Sequence, residues 1–223
     1  MGQNGRVALF LADEQALFRQ GLAHQLSPYP DLDILGEAAS DEEALAALQG
    51  LPPCVMVVCS LSLTPSQDLV RKVRHHLPAD PVLAVSDVKD PEAIFQAASS
   101  GAEAILPRGT TAEGWAQTIR EVHRGAHPID HDLAQDSRVA RRFLDKFEEL
   151  FSHPGLSSLF TPLTPREEAV LNGLALGMGL TEVEASLQLT PQDLHRHLTS
   201  IRRKLESNTS AQEAVLALWG DKR

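Results

Sequence analysis

Apolar and polar positions change rhythm repeatedly along the first 128 residues. Val7–Ala12 is a short apolar run. Leu17, Phe18, Leu22 and Leu26 follow at helical spacing. Leu32–Ala39 reads as a second strand, and Ser40-Asp41-Glu42-Glu43 is a capping box that opens a helix through Leu48. Cys54–Cys59 is apolar throughout, as a strand covered on both faces must be. A helix over Pro65–Leu77, a strand over Pro81–Ser86, a helix over Pro91–Ser99 and a short strand over Ala102–Leu106 follow. Thr110-Thr111-Ala112-Glu113 reads as a capping box for a helix that ends near Gly125. Five strand–helix units in this order predict a doubly wound five-stranded parallel sheet, an α/β fold with helices on both faces. Ligand chemistry in such a sheet sits at the carboxyl ends of the strands.

The pattern changes after residue 128. Arg138–Leu150 is a charged amphipathic helix, His153-Pro154-Gly155 breaks it, and Leu156–Pro162 reads as linker. The last 61 residues, 163–223, show four helical patterns. Thr164-Pro165-Arg166-Glu167 supplies an N-cap, a first-turn proline and a third-position acid. Gly177-Met178-Gly179 stops that helix, and Thr181–Leu187 is a short second one. Thr190-Pro191-Gln192-Asp193 repeats the cap grammar for a helix to Leu205, and Ser210–Trp219 is the last pattern. A short helix, a tight turn and a longer helix form a helix-turn-helix inside an all-α domain. The chain thus divides into 1–128, a helical linker over 129–162, and 163–223.

Composition narrows the function classes. An apolar fraction of 43% excludes general disorder, and no run approaches a membrane span. Met1–Gly5 has no signal-peptide layout, and two cysteines cannot build a disulfide scaffold, so a cytoplasmic setting is expected. The net charge of −10 lies mainly in residues 1–128, with 9 basic and 16 acidic residues; residues 163–223 carry 7 and 8. No G-x-G-x-x-G or P-loop is present. The histidines, His75 and His76 among them, show no metal-ligand spacing, and no catalytic triad can be assembled. The chain therefore does not read as an enzyme, and no cofactor or metal is expected.

The whole chain resembles the NarL/FixJ response regulators, which join a receiver domain of the flavodoxin/CheY-like fold to a LuxR-type helix-turn-helix domain. Leu163-Thr164-Pro165-Arg166-Glu167 matches the family's opening of the second domain. Val170-Leu171, Gly177, Val183, Leu187, Leu189-Thr190, His197-Leu198, Ile201 and Lys204-Leu205 follow at the family's spacing, and Ala211, Ala214 and Val215 fit its last helix. In the receiver half, Arg19-Gln20-Gly21-Leu22, Gly36-Glu37-Ala38 and Gly101-Ala102 match.

The resemblance implies a site and exposes its departures. Relatives phosphorylate an Asp ending the third strand, which holds Mg²⁺ together with an acid pair after the first. The pair is present as Asp13-Glu14, but the acceptor position falls on Cys59. Ser86 fits the hydroxyl position ending strand four, Arg108 stands for the usual Lys, and Ile105 occupies the aromatic switch position. Cysteine cannot form an acyl phosphate, so the receiver is expected to be an atypical one that does not run the ordinary phosphorelay. Cys59 near Arg108 reads either as a redox sensor or as a space-filling residue, and Asp13-Glu14 as a residual metal site or a helix cap.

The implied second function is binding of double-stranded promoter DNA, as an inverted repeat, by a homodimer. The implied contact residues are Gln192, His195, Arg196, Thr199, Arg202, Arg203 and Lys204, and the dimer helix carries Val215, Leu218 and Trp219. Several positions lack the family's cations: His195 stands for Lys, Thr181 for Lys, and Asp193 for Thr, while Glu184 replaces a small Ala. Missing cations weaken the phosphate term of DNA affinity. The alternative is a module that has lost DNA and acts through a protein partner or heterodimer. Salt-sensitive DNA affinity separates the two.

Overall fold

A computed structural model of the chain describes residues 6–59, 63–152 and 157–220. The side chains of residues 59, 63–68, 157, 213 and 216–220 fall outside that description. The chain divides into two compact units: residues 1–89 with 102–128, and residues 90–101 with 129–223.

The first unit holds the sheet. Strands β1 (Val7–Ala12), β2 (Leu32–Ala38), β3 (Val55–Cys59), β4 (Val82–Ser86) and β5 (Ala104–Pro107) are parallel in the order β2-β1-β3-β4-β5. This is the expected doubly wound topology, with its switch point between β1 and β3. Strand alternation sorts the core. Leu9, Leu11, Val55, Val57, Leu83 and Val85 meet Leu22 and Leu26 of α1 (Ala16–Leu26) on one face. Trp115, Ala116, Ile119 and Val122 of α5 (Ala112–His123) complete that layer. Phe10, Met56, Val58 and Ala84 are buried on the other face. There α2 (Asp41–Leu48) packs on β2, and α3 (Leu63–His76) on β3 and β4. The register shifts between Leu9 and Phe10 opposite Gly36. A Cβ at Gly36 would lie 2.9 Å from the Phe10 ring, so only glycine fits beside that side chain.

Helix starts follow their caps with one correction. Ser40 Oγ accepts from Glu43 N, as predicted, whereas the cap of α5 is Thr111, whose Oγ1 accepts from Gly114 N. Thr110 instead donates its hydroxyl to Pro107 O, which anchors the loop and moves the helix start one residue on.

The second unit is helical. It contains α4 (Pro91–Ser100), α6 (Pro128–Gln135) from Ile129 onward, α7 (Ser137–Ser152), α8 (Pro165–Ala175), α9 (Leu180–Leu187) and α10 (Pro191–Gly220). The amphipathic segment at 138–150 is a structural helix: Val139, Ala140, Phe143, Leu144, Phe147 and Leu150 of α7 are buried against α4 and α8. Phe95 meets Phe143 edge to face at 5.5 Å, and Arg142 lies over the Phe95 ring while pairing with Glu92. Helix α6 was not predicted. Pro128 at its first position and Asp130 in its first turn are the start signal that could have revealed it.

The break expected between Leu205 and Ser210 is absent, and the third and fourth helical patterns form one helix of 30 residues. Asn208 and Thr209 are poor helix formers, but Asn208 bonds both N–H and C=O of Thr161 through its amide at 2.8 and 2.9 Å. That tertiary pairing outweighs a propensity cost of roughly half a kcal/mol per residue.

Candidate functional site

Two sites follow from the elements above. The first is the pocket at the carboxyl ends of β1, β3, β4 and β5. Asp13 follows β1, and its side chain is fully buried. Its Oδ1 accepts from Gln15 N at 2.6 Å. Its Oδ2 accepts from Arg108 Nη1 at 2.7 Å. Arg108, just after β5, also pairs through Nε with Asp87 at 3.0 Å and lies 4.4 Å over the Phe18 ring. Arg19 Nη1 donates to Asp13 O. Ser86 is buried at the end of β4, and Glu14 is exposed. Cys59 closes β3 beside Val85 of β4, and its side chain lies outside the described residues.

The pocket does not fit a divalent ion. Magnesium takes free carboxylate oxygens in octahedral geometry. Both Asp13 oxygens are engaged, one by a backbone amide and one by a guanidinium, and Glu14 faces solvent. Among the described residues no three metal-ligating side chains converge. The fixed positive charge of Arg108 stands against Asp13 where a cation would have to sit. Asp13, Ser86 and Arg108 lie here as the resemblance implies, and Asp87 and Phe18 join them without having been expected. Asp87, next to Ser86 at the end of β4, carried a readable signal as an acid at a strand's carboxyl end.

The second site is the helix-turn-helix. Thr164 and Glu167 form the predicted reciprocal capping box on α8. Burial pushes the Glu167 carboxyl up, but bonds from Lys204, the Thr164 amide, Ser200 and the Thr164 hydroxyl outweigh it and hold the group at about 2. Gly177 takes a left-handed φ of 85° to end α8, and Gly173 lets α9 approach, with Val183 Cγ2 3.2 Å from where its Cβ would be. Gln188, left-handed at φ 53°, makes the turn, and Leu189 N bonds Glu184 O at 2.9 Å. Thr190 caps α10: its Oγ1 accepts from Asp193 N at 3.1 Å and donates to Asp193 Oδ2 at 2.6 Å. That hydroxyl bond, with the Thr190 amide, holds the Asp193 carboxyl below its ordinary range.

The seven candidate DNA contacts separate into two groups. Gln192, His195, Arg196 and Arg203 are exposed along α10. Thr199, Arg202 and Lys204 are engaged inside the unit. Thr199 Oγ1 donates to Asp130 Oδ2 at 2.7 Å and Arg202 Nε to Asp130 Oδ1 at 3.1 Å, with Arg202 2% exposed. Lys204 Nζ donates to Glu167 at 2.7 Å and to Pro162 O. The expectation that Arg202 lies on an accessible surface is therefore corrected. Thr199 and Arg202 are one turn apart on the face that meets α6, the helix absent from the sequence reading. Val215 is half-buried, and the side chains of Leu218 and Trp219 lie outside the described residues. His75 and His76 are exposed.

Comparison with known proteins agrees with this architecture. The chain is 28% identical over 200 residues to the transcriptional regulatory protein UhpA of Salmonella typhimurium, covering 89% of this chain and 91% of that protein. It is 22% identical over 214 residues to the response regulator protein VraR of Staphylococcus aureus, covering 95% and 96%. Among solved structures, RcsB of Salmonella typhimurium superposes with a TM-score of 0.51 at 16% identity, covering 90% of this chain and 92% of that one. RcsB solved as two dimers bound to two parallel DNAs superposes at 0.50, with 17% identity and 94% and 99% coverage. No family model matches the chain.

A five-stranded doubly wound sheet and a C-terminal helix-turn-helix are the architecture this chain shares with these regulators. The chain is similar in architecture and along nearly its whole length to response regulators of the NarL/LuxR type, a receiver fold followed by a helix-turn-helix. Among the described residues no helix is long and apolar enough to cross a membrane.

Proposed function

We propose that this chain is a DNA-binding transcription regulator of the response-regulator type whose receiver half, residues 1–128, works without aspartyl phosphorylation. Residues 163–223 are the DNA-binding part, and 129–162 supply α6 and α7. The partner is double-stranded promoter DNA, bound by a homodimer at an inverted repeat. The observation that carries the DNA reading is the exposed face of α10 after a capped turn, with Gln192, His195, Arg196 and Arg203 open to a major groove. The relatives support it: UhpA is a transcriptional regulatory protein, and RcsB dimers bind DNA.

Independence from phosphorylation rests on Cys59 at the acceptor position and on Arg108, which engages the Asp13 oxygen that Mg²⁺ would need. Selection of full-length protein against a random duplex pool tests the first part, with titration of the best sequence at two salt concentrations. Enrichment of an inverted repeat with salt-sensitive affinity supports it, and no enrichment removes it. Incubation with labelled acetyl phosphate tests the second. Label retained by the protein and released by hydroxylamine, which cleaves acyl phosphates, would overturn it.

A second reading, a partner-binding module without DNA, is favoured by one observation: Thr199, Arg202 and Lys204 are turned to Asp130 and Glu167. It predicts that no sequence is selected and that salt-sensitive DNA affinity is lacking.

A further inference from the structure

We propose, resting on the DNA-binding reading above, that Asp193 and Arg196 act as one base-reading unit: Arg196 takes guanine, and Asp193 orients it and accepts from a cytosine amine. The two residues lie three apart, on one face of the first turns of α10, where side chains meet. Arg196 Nη1 stands 3.4 Å from Asp193 Oδ1, with the side chains 69% and 43% exposed.

The two carboxylate oxygens do different things. Oδ2 is tied back to the Thr190 hydroxyl at 2.6 Å, and Oδ1 faces Arg196. The carboxylate is thus fixed from behind, while its outer oxygen restrains the guanidinium. An exposed ion pair at that distance is weak, so it biases the direction of the guanidinium without tying up its donors. A guanidinium matches guanine O6 and N7 bidentately, and a carboxylate accepts from cytosine N4. Arg196 is therefore offered to the groove already oriented, and Asp193 has an unfilled acceptor position beside it.

The surroundings point the same way. A fixed negative charge at this turn repels phosphate, so this end of α10 does not seat on a nucleic-acid backbone. The cations that could hold phosphate from the same helix are reduced, because Arg202 is buried against Asp130 and Lys204 is bonded to Glu167. Selectivity then falls to base edges, and the Asp193–Arg196 pair offers a donor and an acceptor together.

The test is sequence selection with the full-length protein and three variants: Arg196→Ala, Arg196→Lys and Asp193→Asn. Asparagine keeps the cap acceptor and removes the charge. Both side chains are accessible to solvent, and thermal melting verifies the fold. Wild type is expected to hold one guanine per half-site. Arg196→Ala loses that preference by about tenfold or more, and Arg196→Lys, charged but not bidentate, does not restore it. Asp193→Asn is expected to relax the same position while raising affinity for unrelated duplex. A purely structural cap would lower stability and leave the motif as it was. A wild-type motif that both Arg196→Ala and Asp193→Asn leave unchanged overturns this assignment alone. A wild-type protein that enriches nothing overturns the DNA-binding reading with it.

Discussion

Arg108→Ala is the change that most directly tests the pocket. The Arg108–Asp13 pair is short, 2.7 Å, and the Asp13 side chain is fully buried. Removing one partner of such a pair leaves an uncompensated charge, which costs about 3–5 kcal/mol. Asp13 keeps the Gln15 amide on its other oxygen, which places the loss near about 3 kcal/mol. The contact with Phe18 adds about 0.5–1 kcal/mol. Asp87 is 53% exposed and adds little.

The expected sum is near 4 kcal/mol, a large part of the 5–15 kcal/mol that stabilises a typical domain. Trp115, buried under the sheet, is a local reporter, and a Trp219→Phe background makes it the sole tryptophan. For a urea slope of about 2 kcal/mol/M the midpoint falls by about 2 M. Adding Asp13→Asn to Arg108→Ala is expected to recover about 2 kcal/mol, because the charge that needed Arg108 is gone. Saturating Mg²⁺ leaves the wild-type midpoint where it was. A loss below about 1 kcal/mol, or no recovery in the double variant, would refute the account of Arg108 as the pocket's built-in cation.

Three further outcomes follow from the same reasoning. Glu167 titrates at about 2, below its ordinary 4.5, so its contribution is complete above pH 4.5 and is lost as pH falls through 2. Amide exchange in α8 should accelerate over that range, and Lys204→Met should shrink the effect. Asp130→Ala strands Arg202, whose side chain is 3% exposed, and should cost about 3–5 kcal/mol, seen as faster exchange in α6 and in the 199–205 turn of α10. Burial, with Asp80 nearby, pushes the Cys54 thiol up to about 11; in a Cys59→Ser background, iodoacetamide should label it only after unfolding.

Local physics was legible from the chain alone wherever one element decides its own shape. Apolar runs marked β1, β3, β4 and β5 to within two residues, because a strand buried on both faces tolerates few polar positions, and the edge strand β2, with Asp33 and Glu37, was marked to within one. Thr164 and Thr190 announced their helices because a cap uses side chains three residues apart. Cys59 at the end of β3 and Arg108 after β5 were placed by spacing, as were Gln192, His195 and Arg196 on α10. Only the folded chain decided what those side chains touch. Asp13 meets Arg108 across 95 positions, and Asp130 meets Arg202 across 72. Asn208 carries α10 through a sequence that locally favours a break, by bonding Thr161. Pairings between distant segments depend on how elements pack, and no local pattern encodes them. They settled that Asp13 serves an internal cation, and that only part of the expected basic face of α10 is open to a partner.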